Sequence, residues 1–549
     1  MRARLVIHSL TIRKVVTALA ILPIVATCQG SIGVAQTVFA LSPYYDVRSY
    51  GAKCDGTNND TRALQAAIDA AAWRGGGVVL LPLGRYLSGT IHLRSRVTLR
   101  LARGATLIAS ARDADFDPYE SPPPGSISSA KVTWAAKDIR QHPINPAFRP
   151  ELLQELEELT RETVALLRSA LLRRLRDALR QRTLRLLSWT VDNPDTTYSD
   201  YSLIVGDGLS DVTIDGFGTI DGNRTRRGGP KLIALKNCRH ISIRDLTLRN
   251  APSYNISLSG TEGADLEGLT IVNGYADGID PDNSRHVRIT NCKIDTWDDA
   301  ICAKASLALG HRLSTEDLSV SNCTLKTANS GFKFGTESEG DLRNVTIREC
   351  VVEHRARGGS PTAGIAIESV DGGNVDSVVI SKVVMRDVRT PIFLRLGNRG
   401  RGMAMKHPGT MKNISISNIV ASGAQGPSSI NGLPGFPIKS VILSDINVSA
   451  VGGGNHTGFD IPELPEAYPD AEMFGSLPAY ALYARHIVGL TVSNWQDRWT
   501  QADLRPAAVF DDVRGLQIFG WRAAASSTPE PLVFRNVSEA HVDAVSVGR

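Results

Sequence analysis

The sequence predicts an all-β fold: a parallel β-helix solenoid, with a helix capping its N-terminal end and a helical segment inserted between coils. Two observations predict the solenoid. A short alternating strand, closed by Asn, Asp, Gly or a charged residue, returns again and again. Its copies begin at Val212, Ile241, Ala264, Val287, Leu318, Val345, Val378, Ile414, Val441 and Leu490, between 23 and 49 residues apart. Alternation at period two means half-buried strands. The common intervals are too short for a strand, a crossover helix and two loops, so each repeat is one coil of strands and turns. Stacked coils then bury an apolar face that no single coil could bury alone.

The elements follow in chain order. Residues 1–35 read as a cleaved secretory signal, with a basic start, an apolar run from Val15 to Val25, and Gly33-Val34-Ala35 before Gln36. A lipoprotein anchor at Cys28 is the rival, but Thr27 ahead of it is a poor match. The expected location is therefore periplasmic or secreted. No later stretch of 18 apolar residues exists, so no membrane span is expected. The rest, about 44–549, is expected to be one domain. Asp60 to Trp73 carries Leu64, Ile68 and Ala71 on one face, with Asp60 as N-cap and Gly75-Gly76-Gly77 as stop, which predicts the capping helix. Such a helix protects the open edge of the first coil. Strands are expected at Val78–Leu81 and Val97–Leu101. Residues 151–187 place Glu151, Glu155, Glu157, Glu158 and Glu162 ahead of Arg173, Arg174, Arg176, Arg180, Arg182 and Arg185, the order that complements a helix dipole. This is the inserted helical segment, either a cover packed on the solenoid or a wall of a substrate cleft. Residues 455–480 are Pro-rich and expected as loop.

Charge excludes one class of partner. The net charge is +5, and residues 1–35, with Arg2, Arg4, Arg13, Lys14 and no acid, supply most of it. Without them the chain is near neutral, so no nucleic-acid partner is expected. Of seven cysteines, Cys28 leaves with the signal; Cys54, Cys238, Cys292, Cys302, Cys323 and Cys350 remain. Cys238, Cys292, Cys323 and Cys350 follow the Asn or Glu of the repeat. They are read as buried thiols in one inward row, with disulfides as the alternative in an exported chain.

Acids concentrate in Asp277-Gly-Ile-Asp280-Pro-Asp282 and in Asp295-Thr-Trp-Asp298-Asp299. Asp277 and Asp298 are about one coil apart, so with Asp299 next door three carboxylates should share one patch on neighbouring strands. Repulsion should raise at least one of their pKa values and splay the groups. Such a set can protonate a leaving oxygen and activate water, as glycosidic hydrolysis requires; turn capping and calcium binding are the competing uses.

The segments Asp277-Gly-Ile-Asp280 and Asp298-Asp299 resemble the motifs of glycoside hydrolase family 28, the polygalacturonases and their relatives. Val47-Arg-Ser-Tyr-Gly-Ala-Lys-Cys-Asp-Gly and Leu81-Pro-Leu-Gly-Arg-Tyr are similar to the opening segment of pectin-lyase-like β-helices. The resemblance implies a right-handed parallel β-helix and an inverting hydrolase of pectic or related acidic polysaccharide, with no cofactor and no metal. The family's Asn-Thr-Asp is matched by Tyr275-Ala276-Asp277 and its Gly-Asp-Asp by Trp297-Asp298-Asp299. By that match Asp298 is the general acid, and Asp277 and Asp299 act on water. The chain departs from the family elsewhere. Gly-His-Gly falls on Asn329-Ser330-Gly331 and loses the histidine, and Arg-Ile-Lys falls loosely on Phe393-Leu394-Arg395. Lys333 and Arg395 are the candidates to hold a substrate carboxylate in their place; Lys333 also suits a solvated strand face. His311 and His407 are the histidines that could replace the lost imidazole. A polysaccharide lyase on the same solenoid and a non-catalytic carbohydrate-binding solenoid are the competing functions.

Overall fold

The computed structural model describes residues 43–119, 201–524 and 530–548, apart from positions 357, 404, 456 and 457. The signal at 1–35 and the insertion at 151–187 lie outside the described residues.

The repeat folds as its alternation demands. Strands pair in parallel with their equivalents one coil on, and the apolar positions stack into continuous columns. One column runs Val79, Leu99, Ile214, Ile243, Leu266, Ile289, Val320, Ile347, Ile380, Ile416, Leu443, Val492, Ile518, each in register with the next. All are buried. Each such side chain contributes roughly 1.5–3 kcal/mol of transfer free energy, and several such columns together make up the core.

The residue that closes each strand is explained by backbone conformation. Gly216, Asp245, Gly268, Asn291, Asn322, Glu349, Lys382, Asn418, Asp445 and Asn494 close the ten copies, and every one has positive φ, from 50° upward. A left-handed residue at this corner turns the chain from one sheet to the next. Gly and Asn adopt that conformation most readily, which is why they recur. Asn418 is exposed. Asn418→Val is expected to lower stability by about 1–2 kcal/mol, while Asn418→Gly stays near wild type; denaturant melts of the two variants check this.

The helix spans Thr61–Trp73 and buries Ala63, Leu64, Ala67, Ile68 and Ala71 against the first strands, Gly77–Leu81 and Val97–Leu101. Asp60 does not cap it through its side chain. Its carboxylate instead accepts from the Lys53 and Cys54 amides at 2.7 and 3.2 Å, and Asn59 Oδ1 takes the Thr61 amide at 3.0 Å.

All six described cysteines are free. They do not form the single row expected. Cys292, Cys323 and Cys350 stack, because the residues that follow them, Lys293, Thr324 and Val351, are in register. Cys238 precedes a different strand, Arg239–Arg244, and so starts another row. Cys302 belongs to neither; it alternates with core residues on Ile301–Ala305 and lies on that strand's outer face.

The described part of 455–480 forms no helix or strand, as composition predicts. It is an ordered strap. Its Phe474 and Leu477, with Ala479, make a second small core with Ala363, Ala366, Phe393, Tyr483 and Val509 on the outside of the solenoid.

Candidate active site

Two equivalent turns carry the acids. Asp277 precedes strand Ile279–Asp282, and Asp298 and Asp299 precede Ile301–Ala305. Ile279 pairs with Ile301, so the rung equivalent of Asp277 is Asp299, and Asp298 sits one residue ahead of it. The turns touch closely: the Gly278 amide donates to Asp299 O at 2.9 Å. A Cβ at Gly278 would lie 2.3 Å from Ala300 O, so only glycine fits there.

One carboxylate oxygen from each of Asp277, Asp298 and Asp299 lies within 4.8 Å of the other two. All three residues are buried. The cluster is tighter than the splayed arrangement expected from repulsion, because each of the three acids has a cation of its own beside it. Lys304 Nζ is 3.0 Å from Asp277 Oδ2 and 2.9 Å from Asp280 Oδ1. Arg227 Nη1 donates to Asp298 Oδ2 at 2.6 Å, and Asn329 Nδ2 to Asp298 Oδ1 at 2.7 Å. Lys333 Nζ is 3.6 Å from Asp299 Oδ2 and 3.5 Å from Glu368 Oε2. The Ser330 amide donates to Asp299 Oδ1 at 3.0 Å. The loss of the motif histidine therefore leaves a segment that still serves the cluster, through Asn329 and Ser330.

The two lysines keep their charge. Burial alone would deprotonate Lys304, but Asp280, Tyr254 and Asp277 outweigh it; Asp299 and Glu368 do the same for Lys333, and both ammoniums titrate well above their ordinary range. Asp280 is also raised, which for a carboxyl favours the neutral form. Burial raises its carboxyl well above the usual range, and the Asp277 charge adds to this against the pull of Lys304. Behind them lies a further layer of charge. Burial opposes ionisation of Glu337, but Lys304, Arg401 and Arg399 outweigh it and hold its carboxyl well below the usual range. Arg399 grips the buried Asp371 through both oxygens, at 2.9 and 2.5 Å.

Glu368 is pushed up to about 8 by burial, which the Lys333 charge offsets only in part. The folded chain thus keeps a proton that the unfolded chain releases near 4.5. This group withdraws stability as pH rises from about 4.5 to about 8. Glu368→Gln is expected to remove that contribution, so its melting temperature should fall less than that of wild type between pH 5 and roughly pH 8. Parallel thermal melts across the range check it.

The structure separates the two candidate carboxylate holders. Lys333 belongs to the cluster. Arg395 does not: its buried guanidinium donates to the carbonyls of Gly432, Glu463 and Leu464 and lies over the Phe474 ring. It fastens the strap. His311 and His407 are exposed and bond only to the neighbouring carbonyls of Leu309 and Pro408. Sequence reasoning missed Lys304, Arg227 and Glu368. Lys304 had a signal, because it alternates with Cys302 on a strand whose partner places Asp282 opposite it. Arg227 had none; it reaches the cluster from a loop between Thr219–Asp221 and Lys231–Lys236.

Comparison with known proteins fits this geometry. Residues 189–463 match the family described as Glycosyl hydrolases family 28, and residues 44–102 match Rhamnogalacturonase A/epimerase, pectate lyase-like. A probable polygalacturonase of Vitis vinifera is 24% identical over 426 residues, 73% of each chain. The exo-poly-alpha-D-galacturonosidase of Dickeya chrysanthemi is 25% identical over 287 residues, which span 50% of this chain and 44% of that one. Among solved structures, an exopolygalacturonase of Thermotoga maritima superposes with a TM-score of 0.53 at 16% identity, covering 74% of this chain and 87% of that one. At that identity the likeness speaks for the fold.

Proposed function

The chain belongs to glycosyl hydrolase family 28 and is a glycoside hydrolase, and from that premise we propose that it is an exported enzyme that hydrolyses pectic or related acidic polysaccharide through Asp277, Asp298 and Asp299. The observation that carries the reading is the meeting of these three carboxylates within 4.8 Å on adjacent coils. Asp298 is the general acid; Asp277 and Asp299 hold and deprotonate the attacking water. Lys304 Nζ, 3.0 Å from Asp277 Oδ2, places a fixed positive charge beside the base. Arg227 is paired with Asp298 at 2.6 Å, so substrate must loosen that pair before Asp298 can deliver a proton. Among the described residues no helix is long and apolar enough to cross a membrane.

Product analysis on pectic polysaccharides tests the reading, run with and without chelator. New reducing ends without ultraviolet-absorbing unsaturated ends, at the same rate in chelator, are expected, because two carboxylates need no Lewis acid. Unsaturated ends, or activity lost in chelator and restored by calcium, would make the protein a lyase. Binding without any cleavage would leave a carbohydrate-binding solenoid.

A further inference from the structure

Two outward-facing columns run down the solenoid from the cluster, and both change character just beyond it. The first passes through Cys302 and Lys333 to Ala366, Phe393, Ser429, Tyr483, Val509 and Val533, each in register with the next. It is polar at the cluster and mostly apolar after it. The second passes from Glu368 through Arg395, Asn431, Arg485 and Asp511 to Arg535. An apolar, outward-facing column is stable only when covered, and the strap covers it.

The arginines of the second column bind the strap by its backbone, in order. Arg535 donates to Phe459 O at 2.9 Å; Arg485 to Ile461 O and Pro462 O at 2.8 and 2.9 Å; Arg395 to Glu463 O and Leu464 O at 2.7 and 3.0 Å. The Asn398 amide then donates to Pro465 O at 2.6 Å, and Lys406 pairs with Glu466 at 3.0 Å. The strap therefore climbs from the last coils toward the cluster. It arrives with Tyr468, whose ring centroid is 5.7 Å from Lys333 Nζ and 5.9 Å from the Arg399 guanidinium. It then turns back, tied by Arg389 to Glu472 at 2.8 Å. Guanidinium-to-carbonyl bonds at alternate rungs, from the buried Arg395 and Arg485 and the half-buried Arg535, are charge-assisted and fix a loop more firmly than surface contacts would.

We infer that the strap is an end-stop: it closes the substrate groove one rung past Asp299, so the enzyme removes units from a chain end and does not cut internally. The inference rests on the hydrolase reading above. A polymer laid along the outer face cannot continue past Lys333, because Tyr468 and the strap occupy the face beyond it. The unit that sits between Asp299 and Tyr468 is then a terminal one, and Tyr468 sets the specificity for it.

The test follows wild-type protein on polygalacturonate, with viscosity and reducing ends measured together, and on end-labelled oligogalacturonides. The expected result is reducing ends accumulating while viscosity holds, and labelled oligomers shortening stepwise from one end. A second arm uses Tyr468→Ala and a chain in which residues 458–477 are replaced by a Gly-Ser linker; both are expected to gain internal cuts and to lose the stepwise pattern. Early collapse of viscosity with fragments of mixed length from wild type would overturn the inference while leaving hydrolysis standing. A folded linker variant that still acts only from an end would overturn it too. If no reducing ends form on either substrate, the hydrolase reading itself falls and the inference falls with it. Tyr468→Ala and the wild-type pattern decide the matter even where the linker variant does not fold.

Discussion

Asp277→Asn, Asp298→Asn and Asp299→Asn are each expected to leave the solenoid folded and to lower activity by about 10²–10⁴-fold, the usual worth of a general acid or base. The three oxygens lie within 4.8 Å of one another and in the proposed roles serve one bond and one water, so double substitutions should cost little more than the worst single one. Far-ultraviolet circular dichroism and rates on a cleaved substrate check both halves. If two of the three variants stayed within a few-fold of wild type, the proposed roles would be wrong. The acids sit in turns ahead of the strands, outside the apolar columns that hold the coils together.

Lys304→Met carries the second large effect. Lys304 is the cation shared by Asp277 and Asp280, and removing one partner of a buried ion pair costs about 3–5 kcal/mol, because the other is left charged in a low dielectric. The acids respond by taking up a proton. Burial already raises Asp280, and without the lysine charge the carboxyls beside it bind a proton more readily. A base with a raised pKa is ionised only at higher pH, so the acidic limb of the kcat/KM profile should move upward as overall activity falls. Lys304→Arg keeps the charge and should keep that limb near its wild-type position. A stable Lys304→Met protein with an unmoved pH profile would show that Lys304 packs the site without tuning it.

The coil architecture was legible because it is written locally. A period-two strand must half-bury, and Asn291, Asn322, Asn418 and Asn494 mark corners that demand positive φ. The aspartates were legible for the same reason: two turns one coil apart, each rich in acid, must meet when the coils stack. What was illegible depends on distant chain. Arg227 comes from a loop three coils earlier, and nothing in its local sequence points to Asp298. Arg395 lay near a known motif and read as a substrate ligand, yet the strap that consumes its donors begins more than sixty residues later. The cysteine row failed by one corner: Asn237-Cys238 lies between Lys231–Lys236 and Arg239–Arg244, one corner of the coil ahead of the one that Asn291-Cys292 and Asn322-Cys323 occupy.

The tightness of the cluster removes spacing as an argument for stereochemistry. Inverting pairs are held about 6.5–9.5 Å apart and retaining pairs about 5–5.5 Å, so oxygens this close do not by themselves favour inversion. The proposed inversion rests on the family resemblance and on the division of labour: Asp277 and Asp299, equivalent rungs bracketing one position, share a water, and Asp298 faces the leaving group. Proton NMR of the first-formed product therefore decides between the two outcomes. The anomer opposite to the substrate linkage is expected to appear first and then to mutarotate. The retained anomer appearing first, or a glycosyl-enzyme trapped on Asp277, Asp298 or Asp299, would contradict it.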